Sequence, residues 1–583
     1  MSELAVGRGF FRRPHLARLV VVSAIILGGA LASPHYVGAA VPYALFHGAC
    51  VLLALAAFLR PVSYGFTALS IFLLLGFWVK TVATLSGIPV LIEPVGQFTG
   101  SAEVFDRALL FAAAGLTGLA LPRFAWSVTP TTDTIERGAA GVPVWYEVGR
   151  KLVWAVTVVA VAGGTYANWR YRFYVVGVHE LLVLPFPFNA ALGWWYTAGS
   201  SLWIAALLEW ERRLRGRRSF APWLLIPLAE AAITSVVMLS RGFFLIKMLA
   251  YVLAVARPGL RRQMQLRPST AAALLALTVT MFVVSLAGVS WLRMVTYPSM
   301  LARPAAAVAL ARGSDPPAPA GGSVAASPAA PVQVADEMKA RTRELGRMIL
   351  GRWIGLEGVL AVAAAPALSP GLLREGLAES PTLGNAALYQ QLAGATYKPL
   401  LGFTFLTVPG VVAVLAYSGW WIVILLGMCL LSSLIITTER GIRRLFANDL
   451  LCAVAGVAMA NALAQMNFPY LTFVFFVELV VTVGALWVIS VIGIRSTPAP
   501  DVPTVSLLGT VAVPGGPGCE PSDVPEQLVP RSIDHCIPHQ SRGSQARRGR
   551  RGQRGGTAKT AGRRTEPAGA DVGARSPQVS GGE

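Results

Sequence analysis

Long apolar stretches, separated by short polar clusters, dominate the chain from residue 17 to residue 494. Each stretch holds roughly 17–25 residues, which is the length at which a helix crosses the hydrocarbon core of a membrane. The apolar positions follow one another without a break, whereas the strands of a membrane β-barrel alternate apolar and polar residues. The pattern predicts an all-α, polytopic integral membrane protein with about 13–14 transmembrane helices.

Thirteen segments fit the pattern of a membrane-crossing helix, nine before residue 293 and four after residue 400. They cover residues 17–33, 38–59, 62–85, 106–121, 152–168, 190–209, 221–239, 243–257, 270–291, 400–417, 420–437, 448–465 and 470–494. The chain therefore divides into five predicted regions. These are a basic N-terminus over 1–16, an N-terminal bundle over 17–293, a long extracytoplasmic loop over 294–399, a C-terminal group over 400–494, and a tail over 495–583.

Positive charge orients the predicted helices, because Lys and Arg collect in the cytoplasmic loops of membrane proteins. The rule places the N-terminus and the basic loops 122–151, 211–219 and 257–267 on the cytoplasmic side. These placements agree with one another. The chain is therefore predicted to emerge outside the cytoplasm by residue 296.

The charge rule conflicts with thirteen crossings in the C-terminal half. Thirteen would leave both "ERGIRR" (439–444) and the basic tail outside. A fourteenth crossing removes the conflict, and the only apolar candidate is "WIGLEGVLAVAAAPAL" over 353–368, which Glu357 and Pro366 interrupt. We expect this segment to cross, which places both termini in the cytoplasm. The alternative is a re-entrant segment that does not change sides.

Two regions differ in composition from the apolar spans. The long loop begins with "ARGSDPPAPAGGSVAASPAAPV", which is typical of a flexible linker, and continues with "ADEMKARTRELGRMILGRW", which predicts an amphipathic helix at the membrane surface. From residue 495 the chain is rich in Pro, Gly, Ser and Arg and has few large apolar residues. This basic tail is predicted to be disordered.

Composition narrows the function classes. With 55% hydrophobic and 13% charged residues and a mean hydropathy of +0.59, the chain is too apolar for a soluble domain. The net charge of +20 is largely explained by the cytoplasmic loops and the tail, so nucleic acid is not an expected partner. The sequence contains no Walker A motif, no Asp-x-Asp pair, no HExxH and no Gly-x-Ser-x-Gly, so no metal and no cofactor is expected.

Ionisable residues inside apolar spans are candidates for function, because a charge at membrane depth costs several kcal/mol. Lys80 lies near the end of its span, so we expect its side chain to reach the outer headgroups. Glu230 is far from any helix end and should have a partner inside the bundle, whereas Lys247 has no assigned partner. The other ionisable residues at membrane depth are Arg241, Glu357 and Glu478.

Arg241, in "SRGFFLIKML", is predicted to lie at a tight outer hairpin between two helices. An arginine there either binds lipid phosphate or grips an anionic substrate, since guanidinium matches phosphate through two parallel hydrogen bonds. Further predicted outer groups suit a phosphate or pyrophosphate substrate at the outer leaflet. They are Arg170, Arg172, Arg293, Arg343, Arg347 and Arg352, together with His179 and Glu180.

The chain resembles the bacterial oligosaccharide repeat-unit polymerases of the O-antigen polymerase (Wzy) type and, more loosely, the O-antigen ligases. The resemblance covers residues 17–494. It rests on the many spans, the long loop, the "SRG" at an outer hairpin, and the blocks "GRWIGLEGVLAV" and "FTFLTVPGVVAVLAYSG". It implies a metal-independent glycosyltransferase of the bacterial inner membrane. Such an enzyme moves a growing glycan from one undecaprenyl pyrophosphate to the non-reducing sugar of another.

The resemblance also implies roles for particular residues. Arg241 and Arg352 are expected to bind pyrophosphate, with Arg293 and Arg347 in support. The candidates for a general base on the acceptor hydroxyl are Glu357, His179 and Glu180. The implied partners are undecaprenyl-pyrophosphate-linked glycans, membrane lipids, and the chain-length regulator and flippase proteins of polysaccharide synthesis.

Two other functions remain open. In a transporter or flippase of lipid-linked oligosaccharides, Glu230, Glu478 and Lys80 would couple transport or bind substrate. The other alternative is a non-catalytic component of polysaccharide export. Arginines at the outer rim favour the enzyme, whereas charges spread through the bundle beside broken helices favour the transporter.

Overall fold

The structure is a computed structural model that describes residues 13–58, 63–125, 141–175, 184–185, 187–215, 220–296, 353–395 and 406–492. Within these ranges every regular element is a helix, which confirms the all-α prediction. The predicted linker and amphipathic helix, and the tail over 495–583, lie outside the described residues.

The described residues before 297 form twelve α-helices. They are α1 (Arg13–Ala32), α2 (Ala40–Phe58), α3 (Tyr64–Leu73), α4 (Lys80–Leu85), α5 (Ala102–Ala125), α6 (Val144–Tyr171), α7 (Phe188–Trp194), α8 (Ser200–Arg215), α9 (Leu225–Val237), α10 (Arg241–Ala256), α11 (Pro258–Gln263) and α12 (Pro268–Thr296). The π-helical turns Leu74–Val79 and Trp195–Gly199 join α3 to α4 and α7 to α8. Short 3-10 helices occupy Ser33–His35 and Ala221–Leu224.

Seven α-helices follow residue 353 in the described part of the chain. They are α13 (Leu356–Ala363), α14 (Pro370–Ala378), α15 (Leu388–Leu392), α16 (Val411–Ala416), α17 (Trp421–Phe446), α18 (Asp449–Ala464) and α19 (Pro469–Val491), with a 3-10 helix over Pro381–Ala386. Four short helices of five to nine residues precede three long ones, so the part before α17 is more irregular than hydropathy predicted.

Seven described segments are long and apolar enough, by length and composition, to cross a membrane. They are Ala40–Phe58, Tyr64–Leu85, Ala102–Ala125, Val144–Tyr171, Pro268–Leu292, Trp421–Phe446 and Pro469–Val491. Shorter apolar helices occur at Leu19–His35, Ala221–Val237 and Asp449–Ala464. This composition agrees with the predicted polytopic helical membrane class.

Two of the predicted crossing helices are wrong. In place of a helix over 353–368 the structure has α13, whose eight residues span about 12 Å at 1.5 Å each, against a hydrocarbon core of about 30 Å. Pro366 prevents the helix from continuing, because it lacks an N–H and restricts the residue before it. Of the predicted helix over 400–417 the structure describes residues 406–417, and among these only the six residues of α16 are α-helical, after Gly410 at φ +76°. Among the described residues of these two segments, no continuous helix is long enough to cross the hydrocarbon core.

Helix α5 is central to the described bundle and contacts α2, α13 and α17. Small residues allow this close packing, as they do in many membrane bundles. A Cβ atom at Gly118 would overlap the Leu425 carbonyl oxygen of α17. The backbones of α5 and α17 are therefore in direct contact, which leaves the short helices α13 and α16 packed inside the bundle beside α5.

Candidate functional site

A lysine and a glutamate form an ion pair in the interior of the bundle. The Lys80 Nζ atom lies 2.5 and 2.6 Å from the two carboxylate oxygens of Glu357. Lys80 is 1% exposed and Glu357 is 3% exposed. Both charges are therefore removed from water, and each depends on the other for compensation.

Backbone irregularity on both sides brings the pair together. Lys80 is the first residue after the π-helical turn Leu74–Val79, and Glu357 lies in the first turn of α13. Between them Gly76 faces Gly355, where an added Cβ atom would lie 2.7 Å from the Gly76 backbone. π-Helical turns occur often at functional sites. Because Gly76 and Gly355 have no side chains, the start of α13 can approach the π-helical turn before Lys80 closely.

Helices α13 and α16, the two half-helices, lie side by side in the same direction. Their starting ends meet where a Cβ atom at Gly358 would overlap the carbonyl of Pro409. Beyond their final turns, the Ser369 N–H donates to the Tyr417 carbonyl at 3.0 Å. Non-helical backbone at membrane depth is tolerated where it is enclosed by protein or lines a cavity. The half-helices meet the first condition.

The charges at the two ends of α13 match its helix dipole. Glu357 lies in the first turn, where a negative charge is favourable, and no basic residue follows in the last turn. The Arg107 side chain of α5 supplies that positive charge by donating to the Ala363 carbonyl at 3.3 Å. The helix is therefore held at both ends by side chains from the surrounding bundle.

The loop over 86–101 and helix α15 cover the half-helices. The Gly96 N–H donates to the Ala393 carbonyl at 3.0 Å, which ties the loop to the end of α15. The Gln390 side chain donates to the Thr407 carbonyl at 2.8 Å and accepts from the Thr407 N–H at 3.0 Å. Glu93 of the same loop is close enough to interact electrostatically with Glu357. The site thus combines one lysine with two nearby carboxylates.

A second buried ion pair joins α9 and α10. The Lys247 ammonium contacts the Glu230 carboxylate, which also accepts from Ser200 at 2.7 Å, Ser201 at 3.3 Å and Thr234 at 3.2 Å. Ser200 directly follows the π-helical turn Trp195–Gly199, so both buried pairs adjoin a π-helical turn. The predicted partner of Glu230 is confirmed, and it is Lys247.

The prediction for Lys80 is wrong. Its side chain does not reach the outer headgroups but turns inward to Glu357, 277 residues away in the chain. The predicted hairpin before Arg241 is present, because α9 ends at Val237 and α10 begins at Arg241. Arg241 is partly buried there. Glu478 is partly buried in α19.

The other predicted site residues are not brought to Glu357 by any described contact. Arg347, Arg352, His179 and Glu180 lie outside the described residues. Arg293 belongs to the final turns of α12, and nothing further is described of its side chain. Among the described residues, no group of three or more His, Cys, Asp and Glu side chains is placed to hold a metal ion.

Sequence reasoning missed that Lys80 is the partner of Glu357 and that Glu93 lies near the pair. The only signal for the first was that two isolated ionisable residues of opposite charge occur in apolar segments.

Protein-family models, curated protein sequences and solved structures were each compared with the chain, and none of the three comparisons gives a match.

Proposed function

We propose that this protein is a membrane glycosyltransferase that polymerises undecaprenyl-pyrophosphate-linked oligosaccharide repeat units at the outer face of the bacterial inner membrane. The observation that carries the proposal is the Lys80–Glu357 pair at the start of a half-helix inside the bundle. Buried ionisable residues in membrane bundles are expensive and are functional candidates for that reason. Glu357 is also one of the bases expected from the sequence.

The pair suits a transfer between two pyrophosphate-linked glycans. Glu357 accepts the proton of the acceptor hydroxyl as that oxygen bonds to the anomeric carbon, and the bond from this carbon to the donor pyrophosphate breaks. Lys80 pairs with the negative charge of the pyrophosphate that leaves. In the resting protein the two groups neutralise each other, so an incoming pyrophosphate that attracts Lys80 releases Glu357 as a base. Arg241 and Arg352 bind the pyrophosphates from the outer rim.

The chain length of surface polysaccharide tests this function in cells that carry Arg241→Ala or Arg352→Ala. We expect the yield of long chains to fall at least about tenfold, because a lost hydrogen bond to a charged group costs about 1.5–3 kcal/mol. Single repeat units should still reach the surface. The matched control is Arg374→Ala, since Arg374 is exposed on α14 and has no role in the proposal, and it should retain normal chain lengths.

Two other outcomes of this experiment count against the polymerase. Repeat units trapped on the cytoplasmic leaflet would identify a flippase instead. Normal polysaccharide in both arginine variants would contradict the assignment of the two arginines.

We also propose a topology of twelve crossings with both termini in the cytoplasm. Nine crossings precede residue 297, if α3 with α4 and α7 with α8 each count as one, and α17, α18 and α19 add three. In this topology the segments that contain the half-helices α13 and α16 enter the membrane from its outer side and return to that side. The segment 439–444 and the tail then lie in the cytoplasm, so the conflict with the charge rule disappears without a fourteenth crossing.

Cysteine labelling in intact cells distinguishes twelve crossings from fourteen. Leu383 is 47% exposed between the half-helices, so Leu383→Cys should react with an impermeant maleimide added outside. Cys519 and Cys536 of the tail are the internal controls and should react only after the membrane is permeabilised. A cysteine at 383 that reacts only after permeabilisation would support fourteen crossings.

A transporter of lipid-linked oligosaccharides is the second candidate function. The observation that favours it is that the Lys80–Glu357 and Lys247–Glu230 pairs both adjoin a π-helical turn and that Glu357 lies in the first turn of a half-helix. Discontinuous helices near buried charges are typical of transporter binding sites. Repeat units trapped on the cytoplasmic leaflet in cells that carry Arg241→Ala or Arg352→Ala would support the transporter over the polymerase.

A further inference from the structure

A cavity of about 280 Å³ lies between α10, α18 and α19. It extends to the turn that joins α18 to α19, which is outside the cytoplasm in the proposed topology. Asn461 and Gln465 line it from the end of α18, and Asn467 lines it from the turn. Phe243 of α10 and Phe475 of α19 form apolar parts of the wall.

The three carboxamide side chains in this wall make no hydrogen bond to any described residue. Each carboxamide offers two donor hydrogens and an acceptor oxygen. Asn461 and Asn467 are partly buried and Gln465 is exposed, so the three carboxamides are open to a molecule that enters the cavity. A ligand that both donates and accepts hydrogen bonds matches all three groups.

The rest of the lining restricts the ligand further. No Asp, Glu, Lys or Arg belongs to the described wall of the cavity, so nothing there compensates a charged ligand. The volume is close to the lower end of small-molecule sites, which is about 300 Å³. A neutral sugar ring has this combination of properties, because its hydroxyl groups donate and accept and its C–H faces pack against aromatic rings.

We infer that this cavity binds a neutral sugar ring of the lipid-linked glycan, an inference that rests on the proposed function. Its position agrees with that substrate. Arg241 begins α10 within one helical turn of Phe243. A pyrophosphate at the arginine and the sugar in the cavity would then be adjacent parts of one molecule.

Photolabelling of the purified full-length protein tests the inference. The probe is octyl glucoside carrying a diazirine, and the protein is kept in a detergent without sugar. We expect labelled peptides from the end of α18 and the following turn, and competition by methyl glycosides of glucose, galactose or mannose. Asn461→Leu and Gln465→Leu should each lower this labelling at least about tenfold, since leucine lacks the hydrogen-bonding groups of the carboxamide.

The matched control is Gln391→Leu, because Gln391 is an exposed carboxamide bonded to the Ala386 carbonyl, away from the cavity wall. Its labelling should equal that of the unmodified protein. Unchanged labelling in Asn461→Leu and Gln465→Leu would overturn the inference, provided that both elute as folded protein. Competition by octanol but not by methyl glycosides would overturn it too, because the cavity would then hold lipid chains.

The proposed function fails separately from this inference. If sugars bind as expected but Arg241→Ala and Arg352→Ala leave chain length normal, the sugar site stands and the polymerase does not. If both arginine variants shorten the chains while the cavity shows no sugar-dependent labelling, the polymerase stands and the sugar site is excluded.

Discussion

Replacing Lys80 by methionine should strongly reduce the amount of folded protein in the membrane. The change leaves the Glu357 carboxylate buried without the ammonium that now lies 2.5 Å away. Removing one partner of a buried ion pair typically costs about 3–5 kcal/mol. That is a large part of a typical unfolding free energy of about 5–15 kcal/mol. Thermal unfolding of the purified variant and its yield from membranes measure the effect.

The double variant Lys80→Met with Glu357→Leu should recover most of the lost stability, because apolar residues of similar volume often replace a buried pair at little cost. The double variant keeps the carboxylate of Glu93 near the former pair, and this group needs no new partner because it is only partly buried. Lys151→Met is the matched control, since Lys151 is exposed on α6, and it should change stability by less than about 0.5 kcal/mol. A Lys80→Met protein as stable as the unmodified protein would show that the pair is not formed.

Gly358→Ala should destabilise the protein more than any other glycine substitution at the contact between the two half-helices. The added Cβ atom would overlap the Pro409 carbonyl, and backbone cannot turn away as a flexible side chain can. Overpacking of this kind costs about 1–3 kcal/mol. We expect a lower unfolding temperature and a lower yield from membranes, and the assays proposed for the Lys80 variants measure both.

Gly484→Ala provides the control for Gly358→Ala, because Gly484 lies within α19 and nothing lies within 4 Å of an added Cβ atom. Alanine is the better helix former by about 1 kcal/mol, so this variant should be as stable as the unmodified protein or more so. Equal unfolding temperatures for Gly358→Ala and Gly484→Ala would contradict the close contact between α13 and the segment before α16.

Hydropathy and charge predicted the parts of the fold that depend on composition. The predicted span 270–291 lies within α12, and the predicted hairpin before Arg241 separates α9 from α10. These features are local, because a long apolar run must be a helix in lipid and a break in it exposes a turn. The class of fold and most helix positions therefore follow from the sequence.

The half-helices could not be predicted in the same way. The segment 353–368 is as apolar as a crossing helix, but its composition reports burial and not the length of helix that is buried. Protein encloses α13 on several sides, so its residues are apolar for a different reason. The sequence did contain one signal, because thirteen crossings place the basic segment 439–444 and the basic tail outside the cytoplasm. That conflict disappears if 353–368 and 400–417 are both re-entrant, and it disappears equally if 353–368 crosses.

The candidate site depends on long-range pairing, which a single sequence does not reveal. Lys80 and Glu357 are separated by 277 positions, and each alone resembles a residue that reaches toward water. The π-helical turn before Lys80 has no sequence signature that distinguishes it from ordinary helix. Glu230 was easier to interpret, since its position far from a helix end already required an internal partner.

The central claim is that the Lys80–Glu357 pair serves the transfer reaction and does more than hold the fold together. The chain length of surface polysaccharide, measured in cells that carry the double variant Lys80→Met with Glu357→Leu at normal abundance, tests this claim most directly. We expect a stable protein that yields only single repeat units, because the base and its cation are both absent. Polysaccharide of normal chain length from this variant would contradict the claim.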